Sequence, residues 1–308
     1  MRMYGVALSV NACLRAKTRA DVAWIVSTNG LEAADRSDAV ALTPGGGRIG
    51  SLLSGVLDGS LTDLASRHTS TGRVVEIQVT ETESLIAGLP NGGSARCVLI
   101  PASELPTDLW PMLLSREAIC LVSSTHDDVI LRTDLYSSNN ISEADLDVAE
   151  LFNKGVSTCT ELANRIVTIL WPVTKLVIAG EGPIVDALRN GARLLGWQVA
   201  ADSRVQTATG LMVGLTKIDC AVIMGHDVES SSRSLAAALE SQVGYIGALG
   251  SRKMQENRAD WLAYRGVTDL TRVHGPAGLA IGAKTPAEIG ISILAEAIAV
   301  QKGLRDLE

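Results

Sequence analysis

The chain has 308 residues, 27 Lys and Arg against 34 Asp and Glu, a net charge of -7 and a pI near 5.2. At roughly 150 residues per domain this is enough chain for about two domains with large cores, which excludes a disulfide- or metal-stapled miniature. An acidic chain with one Phe, five Trp and four Tyr also lacks the basic stripe and stacking platforms of a nucleic-acid binder. Cys13, Cys97, Cys120, Cys159 and Cys220 never stand two residues apart, which argues against a disulfide framework or zinc ribbon and for a reducing, cytoplasmic setting. No apolar run reaches the ~18 residues of a membrane span.

Taken in chain order, Met1 to Cys13 reads as a buried first element rather than a secretory signal, because the apolar patch Val6–Val10 is short and Asn11 follows it. Val22–Ser27, Arg73–Val79, Ala95–Ile100, Ala118–Ser123 and Val129–Leu135 read as strands, with Asn29-Gly30 and Asp127-Asp128 as turns. A helix is expected from Ser142 to about Lys154, then a segment ending at Trp171-Pro172. The expectation is an α+β domain over residues 1–171.

Residues 172–308 alternate strand and helix. Lys175–Ala179, Gln198–Ala201, Cys220–Met224 and Tyr245–Ala248 are the strands. Between them Leu188, Ala192 and Leu195, then Leu235, Ala238 and Leu239, recur at helical spacing. Thr285, Pro286 and Glu288 form a helix start with a capping box, and Ile289, Ile293, Leu294, Ala297 and Ile298 give that helix its apolar face before Gly303. Such alternation implies right-handed crossovers and a Rossmann-like, doubly wound parallel sheet; the fold class is α/β.

Four constellations could carry chemistry. Gly180-Glu181-Gly182-Pro183 follows a strand and opens a helix, and Asp202 lies twenty residues after Gly182, the spacing at which an acid meets the ribose of NAD(P). Against this, Val185 replaces a third glycine, Pro183 removes an amide donor and Glu181 brings negative charge; a tight turn that binds nothing is the alternative. Gly250-Ser251-Arg252, again at a strand end, brings amides, a hydroxyl and a cation together as an anion pocket would, or caps a helix and nothing more. His226-Asp227 ends the third parallel strand, as a proton relay, a ligand contact or a plain turn; His274 is a candidate for the same crevice. Gly45-Gly46-Gly47-Arg48 offers close approach and a cation, or a flexible turn. No spacing of His68, His126 or the cysteines suggests a metal site, and no nucleophile elbow or Walker loop is present.

Gly244-Tyr-Ile-Gly-Ala-Leu-Gly-Ser-Arg252, His274-Gly-Pro-Ala-Gly through Lys284-Thr-Pro-Ala-Glu-Ile289, Ser292 to Glu296, and His226-Asp227 resemble the C-terminal Rossmann domain of the XdhC/CoxI family over about residues 175 to 303. The first half resembles it faintly, in Thr43-Pro44, Arg48–Ser51, Ser54–Gly59 and Gly88–Gly93. Val56 and Asn91 stand where the family carries cysteines, and Gly30-Leu31-Glu32-Ala33-Ala34 lacks the usual Ser and Pro. The resemblance implies an accessory protein that binds molybdenum cofactor (molybdopterin) and assists its sulfuration with a cysteine desulfurase. It would then deliver the cofactor to an apo molybdenum hydroxylase of the xanthine dehydrogenase type, as a chaperone rather than a catalyst. On that view Gly250, Ser251 and Arg252 hold the phosphate, Asp202 meets a hydroxyl or amine, and His226 with Asp227 orients the ligand. A thiolate-dependent step in the first domain is not expected, since neither Val nor Asn replaces a soft sulfur ligand. The alternatives are an NAD(P)-binding oxidoreductase using Gly180, Gly182 and Asp202, and a scaffold that kept only the fold. A homodimer is a fair expectation for such a protein.

Overall fold

The computed structural model describes residues 2–31, 38–67 and 70–303, and it divides into two compact units, Met1–Pro172 and Val173–Glu308. Glu32 to Ala34 and His68 lie outside the described residues.

In the first unit the order is α1 (Met3–Arg15), β1 (Asp21–Asn29), β2 (Ala39–Leu42), β3 (Arg48–Gly50), α2 (Asp58–Ser66), β4 (Arg73–Val79), α3 (Glu81–Ile86), β5 (Gly93–Pro101), α4 (Leu109–Leu114), β6 (Ile119–His126), β7 (Val129–Ser137), α5 (Leu146–Asn153), β8 (Thr158–Leu162) and β9 (Arg165–Leu170). The strands form one antiparallel sheet, ordered β3-β2-β1-β5-β4-β7-β6-β9-β8. Alternate residues of β1 serve two cores: Val22, Trp24 and Val26 pack beneath α1 and α4, while Ala23 and Ile25 pack against Leu57 and Leu61 on the other side. Helix α1 fits the first face because Met3, Val6, Ala7 and Val10 recur at helical spacing and are all buried. The sheet curls far enough for the Trp24 indole to donate to Thr168 Oγ1 on β9 at 3.0 Å.

The Asp127-Asp128 turn is a tight hairpin with both residues at positive φ, the geometry a two-residue connection needs to match strand twist. One expectation needs correction and another gains its detail. The helix expected from Ser142 begins only at Leu146, because Ala144 is extended and a single 3-10 turn occupies 141–143. The segment ending at Trp171 is the β8–β9 hairpin, whose inner residues Cys159, Ile166 and Leu170 complete the core beside α1.

The second unit runs β10 (Lys175–Ala179), α6 (Pro183–Leu194), β11 (Gln198–Asp202), α7 (Val205–Met212), β12 (Cys220–Ile223), α8 (Val228–Glu240), β13 (Tyr245–Ala248), α9 (Arg252–Ala263), β14 (Val273–His274) and α10 (Pro286–Gln301). All five strands are parallel, in the order β11-β10-β12-β13-β14. This is the doubly wound α/β fold, with a layer of helices on each face. Val177, Ala179, Ala221 and Ile223 face the side of α7, α8 and α9; Leu176, Ile178, Cys220 and Val222 face α6 and α10. Each of the fully buried Val, Leu and Ile side chains contributes about 1.5–3 kcal/mol of burial.

Helix α10 starts with the full capping box, Thr285 accepting from the Glu288 amide and Glu288 accepting from the Thr285 amide. Leu195 departs from its assigned apolar face: it is the C-cap of α6 and 42% exposed, and Val185 takes the buried place beside Leu188 and Ala192. No described helix is long and apolar enough to cross a membrane.

Candidate functional site at the carboxyl ends of the parallel strands

The strand order reverses direction between β10 and β12: one crossover from β10 leads outward to β11, and the next returns past it to β12. Ligands of open α/β sheets bind in the crevice that such a switch point leaves at the carboxyl ends. Three neighbouring cavities lie there. The largest, about 410 Å³, is bounded by Glu181 and Pro183, by Met224 to His226, and by Leu249 to Ser251. A second, about 180 Å³, lies between Gly180, His226 and Ser231; a third, about 330 Å³, between Gly182, Arg189 and Asp202. Glu181 borders all three.

The β13–α9 turn is the most elaborately built wall. Gln255 Nε2 donates to the carbonyls of Ala248 (2.9 Å) and Gly250 (3.3 Å), and Arg258 Nη1 donates to that of Leu249 (2.6 Å). Two side chains of α9 thus draw the turn's carbonyls toward the helix. Because a trans peptide places N–H and C=O on opposite edges, the amides of Gly250 and Ser251 are turned the other way. Neither has a protein acceptor among the described residues. Gly250 adopts φ +132° and a Cβ there would stand 2.9 Å from Met254 Cγ, so the turn requires glycine. Ser251 is the N-cap of α9 and accepts from the Met254 amide at 3.3 Å. The result is a nest of outward amides at the positive end of a helix.

Arg252, expected to supply the cation, does not border any of these cavities; as the first residue of α9 it is exposed to solvent. A second arginine, Arg258, is 1% exposed and hydrogen-bonds the turn at Leu249 O; it was not among the candidates in the sequence. The available signal was the spacing Met254, Arg258, Leu262, which puts an arginine on the inward stripe of the helix.

At the β10 end, Gly180 and Gly182 both take positive φ, and Met224 Cβ lies 2.8 Å from where a Gly180 side chain would begin. The Gly182 position is open above the backbone. Pro183 occupies the first position of α6, so this helix offers one amide fewer than a phosphate-binding turn would. Asp202 ends β11 in the same cavity, but Arg204 holds it with its amide, Nε and Nη2 at 2.8–3.0 Å. Those hydrogen bonds lower the carboxyl to about 2.

His226 and Asp227 separate in function. His226 borders two cavities, whereas Asp227 caps α8 by accepting from the Ser230 amide at 2.7 Å, and hydrogen bonding from the Ser230 side chain and amide keeps its carboxyl below the usual range. A His226–Asp227 relay is therefore not formed. His274 turns to the α10 side of the sheet, its ring stacked on Tyr245 at 5.1 Å and its Nδ1 3.8 Å from Glu296. It is not part of the crevice. Arg48 also has an internal role, 3.2 Å from buried Asp58 in the first unit. In that unit Val56 packs against the core, and a Cβ on Gly30 or Gly93 would collide with backbone oxygens of Gly92 or Asn29, beside exposed Asn91. Among the described residues no group of three His, Cys, Asp or Glu side chains is placed to hold a metal.

The parallel sheet, its strand order and the crevice at its switch point define the second unit as a Rossmann-type domain. Residues 176–297 match the family model described as the XdhC Rossmann domain. That match takes in most of the second unit and less than half of the chain. Over 147 residues the chain is 29% identical to the uncharacterized protein YqeB of Escherichia coli K12; the match takes in 41% of this chain and spans only 27% of that protein. A crystal structure of a xanthine dehydrogenase from Bacillus halodurans aligns over 98% of this chain and 96% of that one, at 19% identity and a TM-score of 0.46, a likeness on which we rest no argument.

Proposed function

We propose that the protein is an XdhC-type accessory factor whose Rossmann domain holds the phosphate-bearing pterin of molybdenum cofactor in the switch-point crevice and passes it on. The partners on this reading are an apo molybdenum hydroxylase of the xanthine dehydrogenase type and a cysteine desulfurase, in the cytoplasm, with a second copy of the chain as a further partner. The observation that carries it is that the Gly250-Ser251 amide nest and Glu181 border one cavity. Amides at a helix N-terminus suit a phosphate, and a carboxylate opposite suits the N–H donors of an aminopyrimidinone edge. No cysteine borders the crevice: Cys220, the cysteine of this unit, is fully buried within β12 and its thiol is pushed up by burial. The metal would thus reach this domain on the pterin's own sulfurs, as cargo. Asp202 would meet a hydroxyl or amine through its remaining lone pairs, and His226 would contact the ligand directly.

A second reading is favoured by the third cavity, where Gly180, open Gly182 and Asp202 lie together as they would for NAD(P). Fluorescence titration of the full chain with molybdopterin and, separately, with NADH and NADPH decides between them. The first reading expects molybdopterin binding that Gly250→Val abolishes and Gly182→Val leaves in place. Nicotinamide binding abolished by Gly182→Val would establish the second, and binding of neither class would leave a scaffold that kept only the fold.

A further inference from the structure

Arg258 is a guanidinium in a place where charge is expensive. It is 1% exposed, and among the described residues no carboxylate pairs with it. Its partners are neutral: Nε donates to Ser231 Oγ at 2.9 Å, Nη1 to Leu249 O at 2.6 Å and to Gln255 Oε1 at 3.3 Å, and Nη2 to Gly225 O at 2.8 Å. A buried, uncompensated cation is strongly disfavoured unless something supplies the opposite charge. Those partners also have a pattern. Gly225 follows β12, Leu249 follows β13 and Ser231 lies in the first turn of α8, so one side chain ties together both walls of the largest cavity. A Cβ built on Gly250 would come within 3.5 Å of Nη1, so the guanidinium lies against the turn that carries the amides; Arg258 itself borders none of the three crevice cavities and lines a separate one with Gln255 and Gly275.

We propose that Arg258 is the charge source and positioning residue of the crevice's anion site, selecting ligands that bear a phosphate. It sets the Gly225 and Leu249 turns at their spacing, and the anion in front of the nest supplies the charge the guanidinium lacks. The inference rests on the binding of a phosphate-bearing ligand proposed above, but not on that ligand being a pterin. A brace alone could be built from neutral donors; the leftover charge is what a brace does not need.

The test compares the full-length wild type with Arg258→Lys, Arg258→Gln and Arg258→Met. The probes are inorganic pyrophosphate, the oxidised fluorescent pterin carrying its phosphate, and the same pterin after phosphatase treatment. Circular dichroism selects the variants that fold; Gln keeps donors for Gly225 or Leu249 without the charge, so the comparison survives if Met does not fold. The expected result is a preference of the wild type for the phosphorylated over the dephosphorylated pterin that falls roughly tenfold or more in Gln and Met and is largely kept in Lys. Affinity for the dephosphorylated pterin should change little, which a purely structural role would not allow. An unchanged preference in a folded Gln or Met variant overturns the inference, as does a wild type that binds neither pyrophosphate nor phosphorylated pterin. Arg258-dependent binding of pyrophosphate without any pterin binding would sustain the inference while removing the pterin reading.

Discussion

Arg48 Nη1 lies 3.2 Å from Asp58 Oδ2, and Asp58, at the start of α2, is fully buried while Arg48 is about half exposed. The other carboxylate oxygen accepts the Leu52 amide at 3.0 Å. The cation beside the glycine turn is thus committed to an internal anion, and the segment between β3 and α2 is folded around that carboxylate.

Removing Arg48 leaves Asp58 Oδ2 buried without a partner, since that atom makes no hydrogen bond. Arg48→Ala should lower stability by about 1–2 kcal/mol, a figure kept small because solvent screens the exposed arginine. Asp58→Ala, which also strands the Leu52 amide, should cost more. Urea unfolding of both variants checks the order.

The Asp202–Arg204 pair gives a pH prediction. Asp202 titrates at about 2 in the folded protein against roughly 3.9 unfolded, so its contribution is fully present above the unfolded value and is lost as pH falls through about 2. NMR titration should find this carboxyl among the most acidic in the protein. Arg204→Ala should return it toward the ordinary range, and a titration unmoved by that change would contradict the pairing.

The five cysteines should differ sharply in reactivity. Cys97, Cys120, Cys159 and Cys220 are buried and Cys13 is partly exposed. Burial pushes the Cys97 and Cys120 thiols up to about 12. At pH 8 a thiol reagent should modify at most Cys13 quickly in the native protein and all five after unfolding.

Tyr245 OH donates to Glu296 Oε2 at 2.5 Å, and the Gly278 amide donates to the same oxygen at 2.8 Å. This joins β13, α10 and the loop after β14 on the face away from α9. Tyr245→Phe should cost about 1.5–3 kcal/mol, the value of a hydrogen bond to a charged group. Binding in the crevice should be retained, as measured by unfolding and by ligand titration on the same samples.

At the start of α10, Thr285→Ala removes one half of a capping box and should cost about 1 kcal/mol. Serine at the same position should restore most of it in thermal unfolding.

The sequence by itself determined what depends on neighbours along the chain. Lys175–Ala179 is a strand because the four-residue apolar run Leu176 to Ala179 ends at a glycine, and Thr285-Pro286-Ala287-Glu288 starts a helix because its own side chains satisfy its first amides. The paired aspartates at 127 and 128 turn a hairpin for equally local reasons. The sites at Gly180, Asp202, His226 and Gly250 were legible as strand-end residues, since glycine and polar residues must follow a buried parallel strand before the next helix begins.

Tertiary structure decided what depends on the direction a polar side chain takes once the strands are ordered. Arg252 and Arg258 sit on one helix, six residues apart, and the sequence made the first the better cation; packing of α9 turned it to solvent and buried the second against the turn that carries the amides. His226 follows β12 and His274 ends β14, but only His226 borders the crevice, because His274 stacks on Tyr245 on the opposite face. Arg48 found Asp58 for the same reason. Charge and hydrogen bonding are satisfied by whichever partner the fold brings within about 3 Å, and that partner is set by strand order and helix face rather than by position in the chain.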